Sequence, residues 1–136
     1  MDQSPAKPWY RRWFGDRSER SAARHLQALG YKILTRNFSC QLGELDIVAR
    51  DGDTLVFVEV RSTQRDDTER PALSVDLAKQ KRLTRLALFY LQKHKLLNHA
   101  ARFDVICIAW PAGHKTPTLD HFKNAFEAHG RFQMYS

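Results

Sequence analysis

The chain has 136 residues, of which 43% are apolar and 27% are charged, and it carries a formal net charge of +7 with a pI of about 9.7. This length supports a single domain with one hydrophobic core, and the composition is that of a globular protein. No apolar run approaches the roughly 20 residues that span a bilayer, and no signal peptide is evident. We therefore expect a cytoplasmic protein without a membrane partner, whose positive charge favours nucleic acid or another polyanion.

The cysteines and histidines do not form a metal-binding motif. Cys40 and Cys107 are far apart in the sequence, and the six histidines are scattered without a CxxC or HxxxH spacing. We predict two buried free thiols rather than a disulfide or a zinc site.

The chain begins with a segment of mixed character, residues 1–17. Pro5, Pro8 and Gly15 interrupt it, so we predict a flexible N-terminal extension. Its basic and aromatic stretch, residues 9–14, is also compatible with stacking on bases or contact with a membrane surface. Residues 18–127 are predicted to form one domain, and residues 128–136 a C-terminal tail.

The first regular element is predicted to be a helix that begins with Ser18 as its N-cap and ends near Gly30. Its apolar face has helical spacing. A short strand over residues 31–34 and a polar connection over residues 37–43 follow. The residues of the predicted face are Ala22, Ala23, Leu26 and Leu29.

The clearest pattern in the sequence is a β-hairpin formed by residues 44–50 and 54–61, with a turn signal at residues 51–53. Its apolar residues are predicted to form one core face. They are Leu45, Ile47, Val56, Val58 and Val60.

The remaining elements complete the predicted fold. A polar loop over residues 62–72 precedes a long helix over residues 75–94, one face of which is lined by Leu83, Leu86, Ala87 and Tyr90. A buried strand over residues 102–110, a turn over residues 111–117 and an edge strand over residues 119–126 follow. The order α-β-β-β-α-β-β predicts an α+β fold in which helices flank a mixed central β-sheet.

Three charged residues of the hairpin suggest a chemical site. Glu59 and Arg61 are two positions apart and therefore share a face. A turn at residues 52–53 would place Asp46 directly opposite Glu59, and a turn at residues 51–52 would leave it diagonal but on the same face. Two carboxylates on otherwise apolar strands suit a hard cation such as Mg²⁺. The alternative is that these carboxylates pair with Arg61 or with a helix lysine at a solvated face.

The second predicted helix carries a run of cations in its N-terminal half. Such a run is usually a solvated face, but it can also hold a polyanion. The residues are Lys79, Lys81, Arg82 and Arg85.

The hairpin motif resembles a nuclease core. Asp46, twelve intervening residues and then Glu59-Val60-Arg61 resemble the D…ExK pattern of the PD-(D/E)XK superfamily. More closely, residues 15–127 are similar to the YraN family of small bacterial proteins, which have a Holliday-junction-resolvase-like fold. The matching segments are Glu19 with Ala22 and Leu26, Gly30-Tyr31, Arg36-Asn37, residues 43–48 and 56–61, Lys79-Gln80-Lys81, residues 102–105 and Asn124-Ala125-Phe126.

The resemblance implies metal-dependent hydrolysis of phosphodiester bonds, with DNA favoured over RNA as the nucleic-acid partner. It assigns Asp46, Glu59 and Glu19 as ligands of Mg²⁺ (or Mn²⁺). Gln80 and Lys79 would face the phosphates or the site. Arg61 departs from the lysine of the motif, and because arginine keeps its proton it can stabilise charge on the phosphate but cannot act as a base.

The cationic helix would contribute binding without base recognition under this interpretation. Lys79, Lys81, Arg82 and Arg85 would contact the nucleic-acid backbone, so structure-selective or non-specific binding is expected. A homodimer would suit a resolvase-like enzyme that acts on two strands.

Two other functions are compatible with the same residues. The first is a nucleic-acid-binding protein that has the nuclease fold without turnover, which the departure at Arg61 favours. The second is an interaction protein whose basic face binds an acidic partner.

Overall fold

A computed structural model describes residues 9–63, 75–110 and 116–129, and the side chains within residues 16–62, 75–110 and 116–129. The order of elements is the predicted α-β-β-β-α-β-β. The elements are α1 (Trp9–Ala28), β1 (Lys32–Cys40), β2 (Gly43–Asp51), β3 (Thr54–Thr63), α2 (Leu77–Lys93), β4 (Ala101–Ala109) and β5 (Thr118–Phe126).

The five strands form one mixed sheet in the order β1-β2-β3-β4-β5. β1, β2 and β3 are antiparallel neighbours, β3 and β4 are parallel, and β5 is antiparallel to β4. A parallel pair needs a crossover connection, and α2 supplies it between β3 and β4. The predicted mixed sheet flanked by helices is confirmed.

A helix covers each face of the sheet. On one face, the α2-side core, Leu86 and Tyr90 pack with Phe57 and Phe103. On the other, the α1-side core, Leu26 and other residues of α1 pack against the strands. Because β3 and β4 are buried on both faces, their sequences are nearly continuous apolar runs.

The first helix begins at Trp9 and not at Ser18, so the predicted N-cap is wrong. Ser18 is buried inside α1, and its Oγ accepts a hydrogen bond of 2.9 Å from Trp110 Nε1. A buried indole N–H needs such an acceptor. No proline occurs between residues 9 and 17, and the single Gly15 costs a helix only about 1 kcal/mol. The helix therefore crosses the predicted boundary between residues 17 and 18.

The first strand extends through Cys40, so the predicted polar connection from Asn37 onward is wrong. Phe38 lies in the α2-side core and pairs with Leu45 of β2. One buried aromatic residue and backbone pairing therefore keep this polar stretch in the sheet. Asn37 takes a positive φ of 54°, which asparagine tolerates better than most residues.

Other predictions fall partly outside the described residues. β3 continues to Thr63, two residues into the predicted loop, and residues 64–74 of that region are not described. Residues 1–8, 111–115 and 130–136 also lie outside. Both cysteines are free, with Cys107 buried and Cys40 half-buried. Among the described helices, none has the length and apolar character needed to cross a membrane.

Candidate active site

The register of the hairpin decides how Asp46 and Glu59 are related. Asp51 pairs with Thr54, so the strands are joined by a two-residue turn at positions 52 and 53. Gly52 has a φ of 60°, as the first central position of a type II′ turn requires. This is the first of the two registers allowed by the sequence, and continuing it places Asp46 across from Glu59.

The carboxylate of Asp46 replaces a backbone acceptor where the ladder between β2 and β3 ends. The last backbone pair joins Ile47 and Val58. Beyond it, the Val60 N–H donates to Asp46 Oδ2 over 2.8 Å. This charge-assisted hydrogen bond holds the carboxylate against β3, at the residue directly after Glu59.

Side chains along β1 stop alternating strictly between the two faces of the sheet near Asn37, which lies opposite Asp46 of β2. The Thr35 hydroxyl lies 2.8 Å from the Tyr90 hydroxyl, and Phe38 packs edge-on against the same ring at a centroid distance of 5.2 Å. Strict alternation would send residues three apart to opposite faces. The positive φ of Asn37, between them, allows both to reach α2.

The same shift occurs on β2 and corrects the predicted core face. Leu45 and Val48 both belong to the α2-side core, whereas Ile47 belongs to the α1-side core with Val56 and Val58. The prediction that Leu45 shares a face with Ile47 is therefore wrong. The alternation of side chains along β2 therefore breaks between Leu45 and Val48, and within this segment the Asp46 carboxylate turns toward the β3 backbone.

Glu59 is buried against the N-terminal part of α2. The residue is 8% exposed, and Lys79 Nζ lies 2.6 Å from Glu59 Oε1. Arg61 follows two positions later on the same face and pairs in register with Cys107 of the α2-side core. The structure thus contains an ion pair between Glu59 and a helix lysine, which the sequence analysis gave as the alternative to a metal site. This ion pair lies on the face that Glu59 and Arg61 share.

Glu19 enters from α1. It is only 8% exposed, which is unusual for a glutamate. Within residues 9–63, 75–110 and 116–129, however, no three His, Cys, Asp or Glu side chains come together as a group that could hold a metal ion. The Asp46 carboxylate thus binds the backbone of Val60, the residue after Glu59, and Glu19 is not gathered with these two acids into a group of that kind.

Gln80 makes two hydrogen bonds away from Glu59. Its Nε2 donates to the Val75 carbonyl over 2.9 Å, and its Oε1 lies 2.6 Å from His129 Nε2. Lys79 is held at the first turn of α2, where its backbone N–H donates to Asp76 Oδ1 over 2.8 Å. Lys79 therefore contacts the carboxylate site, and Gln80 links the site to the end of the described chain.

The other three predicted nucleic-acid contacts remain available on the outside of α2. Lys81, Arg82 and Arg85 are all exposed. Together they form a cationic outer face of α2, next to the turn that carries Lys79. The geometry is that of a solvated face that can also receive phosphates.

A second polar cluster was not assigned a role from the sequence. Asp104 of β4 is fully buried on the α1 side and accepts hydrogen bonds from Arg102, from His121 Nε2 at 2.8 Å and from the Asn124 N–H at 3.0 Å. His121 Nδ1 lies 3.1 Å from His25 Nε2. The sequence signal was an aspartate inside an otherwise apolar strand.

Burial and hydrogen bonding act in opposite directions on this cluster. Burial alone would raise the pKa of Asp104, but the hydrogen bonds from His121, Arg102 and Asn124 outweigh it and lower the pKa. Burial would lower the pKa of Arg102, yet its bonds to Asp104 and Asp51 raise it. Both side chains therefore stay charged and paired, as in a structural network.

Cys107 shows what burial does to a group that lacks such partners. Burial raises the pKa of the Cys107 thiol to about 11, although the neighbouring Arg61 lowers it in part. The thiol beside the candidate site is therefore protonated at neutral pH and is not a nucleophile.

Comparison with known proteins places the chain in a family. Residues 18–108, more than half of the chain, match the model of the uncharacterised protein family UPF0102. The chain belongs to this family, also known as the YraN family. The matched region contains the acidic residues Glu19, Asp46 and Glu59, whereas His129 lies beyond it.

Bacterial UPF0102 proteins resemble the chain over most of its length. A UPF0102 protein of Syntrophus aciditrophicus is 45% identical over 86% of this chain and 91% of its own length. Those of Geobacter metallireducens and Myxococcus xanthus are 44% and 41% identical, covering 83% and 90% of this chain and 91% and 96% of their own lengths. The family name states no reaction, so the function rests on the site.

Proposed function

We propose that this protein is a metal-dependent endonuclease that hydrolyses phosphodiester bonds of DNA, without base recognition or with selectivity for DNA structure. The observation that carries the proposal is that Asp46 of β2 and Glu59 of β3 both lie directly beyond Ile47 and Val58, where the backbone pairing of these two strands ends. The Asp46 carboxylate is held by the Val60 N–H, and the Glu59 carboxylate is buried beside Lys79. Acidic side chains that lie where the pairing of two strands ends contribute little to core packing. Acids in such positions are more often functional.

The donor set fits Mg²⁺ or Mn²⁺. Mg²⁺ is commonly held through one or two carboxylates, with water and substrate phosphates completing its octahedral shell. Asp46 and Glu59 would hold the ion, whereas Glu19 is not gathered with them. When bound, such an ion neutralises charge on the phosphate and lowers the pKa of water. A site with two principal carboxylates therefore needs no third acidic side chain in contact.

The cationic side chains act on the phosphate. Arg61 stabilises the negative charge that develops on the phosphate oxygens, but it takes no proton from the attacking water because a guanidinium stays protonated. A carboxylate of Asp46 or Glu59 is then the protein group able to accept that proton. Lys79 neutralises Glu59 in the structure and can turn toward an incoming phosphate, since its side chain is 35% exposed.

The cationic outer face of α2 supplies the binding energy. Lys81, Arg82 and Arg85 are exposed and positively charged, and contacts of this kind to phosphates position the DNA without reading its sequence.

A second candidate function is binding of nucleic acid without turnover. Two observations favour it: the 2.6 Å ion pair satisfies Glu59 through Lys79, and Arg61 occupies the lysine position of the nuclease motif. This alternative requires the same cationic face and no metal.

Cleavage of linear, flapped and four-way DNA in Mg²⁺, Mn²⁺ or EDTA tests the proposal. We expect metal-dependent cleavage that falls by about 10²- to 10³-fold in Asp46→Asn and Glu59→Gln, the size typical of losing one group that stabilises the transition state. Asp53→Asn is the matched control, because Asp53 is an exposed acid in the turn of the same hairpin.

Three results would contradict or redirect the proposal. Equal cleavage by the wild type and both variants would identify a contaminating nuclease. Salt-sensitive binding without cleavage in either metal would establish the second candidate. Absence of both binding and cleavage at low salt would exclude both functions.

A further inference from the structure

The chain returns toward the N-terminal part of α2 after β5 ends at Phe126. Ala128 packs against the α2-side core. The His129 N–H donates to Thr84 Oγ1 over 3.2 Å, and Thr84 in turn donates to the Gln80 carbonyl over 2.9 Å. His129 is thus anchored to α2 through its backbone, independently of its ring.

The imidazole of His129 makes a separate contact that fixes the amide of Gln80. The Val75 carbonyl can only accept, so the Gln80 atom that faces it at 2.9 Å is the Nε2 donor. Gln80 Oε1 then faces His129 Nε2 at 2.6 Å, and this nitrogen must carry a hydrogen. Two partners of opposite polarity therefore hold the amide in one orientation.

The fixed amide has a hydrogen to donate. An amide nitrogen carries two hydrogens, and the Val75 carbonyl accepts one of them. Gln80 follows Lys79, whose ammonium contacts Glu59 at 2.6 Å. An N–H donor and an ammonium therefore lie on consecutive residues in the first turns of α2, where a nucleic-acid backbone that crosses this end of the helix offers phosphate oxygens to each of them.

We propose that His129 is a positioning residue for nucleic-acid binding, which acts by holding the Gln80 amide so that its second N–H is presented to a phosphate oxygen. This inference rests on the proposed function, because it requires that phosphates bind beside Lys79. It adds a residue from outside the matched family segment, 18–108, to the site.

A double-mutant cycle measured by DNA binding tests the inference. The full-length wild type, His129→Ala, Gln80→Ala and the double variant are titrated with a fluorescent four-way DNA in EDTA at low salt, so that cleavage does not interfere. We expect each single variant to raise Kd by about fivefold, as loss of one hydrogen bond predicts, and the double variant to bind no more weakly than Gln80→Ala. His99→Ala, which removes an exposed histidine elsewhere, is expected to bind like the wild type.

The inference would be overturned if His129→Ala bound DNA as tightly as the wild type. It would also be overturned if the increases in Kd of the two single variants multiplied in the double variant. A wild type that does not bind DNA at low salt would instead overturn the proposed function, so the two failures are distinguishable. A nitrogen-15 NMR spectrum of the histidine rings provides a readout besides binding. We expect hydrogen on Nε2 of His129, and a ring protonated only on Nδ1 would contradict the proposed contact.

Discussion

Glu59 and Asp104 are buried carboxylates on neighbouring strands, and they differ in how they are satisfied. Asp104 pairs in register with Val58, one residue before Glu59, but it lies on the opposite face of the sheet. Three residues donate to Asp104, and it is fully buried. Glu59 has an ion pair with one lysine whose side chain is 35% exposed. The first carboxylate is enclosed by protein donors, and the second faces a partner that can exchange with a ligand.

This difference separates a carboxylate with structural partners from the acidic residues that we propose as functional in the same sheet. A lowered pKa marks Asp104, and a search guided by perturbed carboxylates would select it first. Its hydrogen bonds, however, connect β4 to β5 and, through Arg102, to Asp51 and Tyr31. Glu59 and Asp46 instead lie where the pairing of β2 with β3 ends, directly beyond Ile47 and Val58. The surrounding contacts are therefore more informative than the pKa.

Of the variants that test this comparison, we expect Asp104→Ala to have the largest effect on the free energy of unfolding. Removing the carboxylate leaves Arg102 as a partly buried charge with fewer partners, and breaking a buried pair in this way costs about 3–5 kcal/mol of unfolding free energy. Urea denaturation of wild type and variant measures the loss. A loss below about 1 kcal/mol would show that Asp104 is not the structural carboxylate of the pair.

Acidification should weaken the same network in two steps. The pKa of His25 is lowered by burial and by the nearby charges of His121 and Lys123. As the pH falls below the ordinary value of 6.5, the unfolded chain therefore takes up a proton before the folded chain does, and the stability of the fold decreases. The pKa of Asp104 is also lowered, so its contribution is complete above 3.8 and is lost as the pH falls through its lowered value.

Urea midpoints measured from pH 8 to pH 5 test the first of these steps. His25→Gln should lose less stability than the wild type over this range, because glutamine does not titrate. Identical slopes for the two proteins would show that the contact between His25 and His121 does not contribute to the pH dependence.

The regular parts of the fold were predictable because they depend on local pattern. Alternation and a turn signal defined β2 and β3, and parity placed Glu59 and Arg61 on one face. Helical spacing identified the buried face of α2, including Leu83 and Leu86. These features depend on residues that are close in the sequence.

The missed features depend on contacts between distant residues. Thr35 and Phe38 of β1 both contact Tyr90 of α2, and Ser18 is buried inside α1, where its Oγ accepts from Trp110 Nε1. His129 reaches Gln80 across 49 positions of sequence. Hydrophobic period and turn chemistry carry no information on such pairs, and for this reason the candidate site was predicted less completely than the sheet.

The smallest expected effect on stability is that of Glu59→Gln. Lys79 can turn into water when its partner loses charge, because its side chain is partly exposed, and exposed or half-exposed ion pairs contribute about 0–1 kcal/mol. We therefore expect the unfolding free energy to change by less than about 1 kcal/mol, in contrast to Asp104→Ala, although cleavage is expected to fall sharply. Urea denaturation and the DNA cleavage assay on one preparation measure both quantities. A loss of stability as large as that of Asp104→Ala would assign Glu59 a structural role, whereas a stable variant without cleavage would identify it as a functional residue.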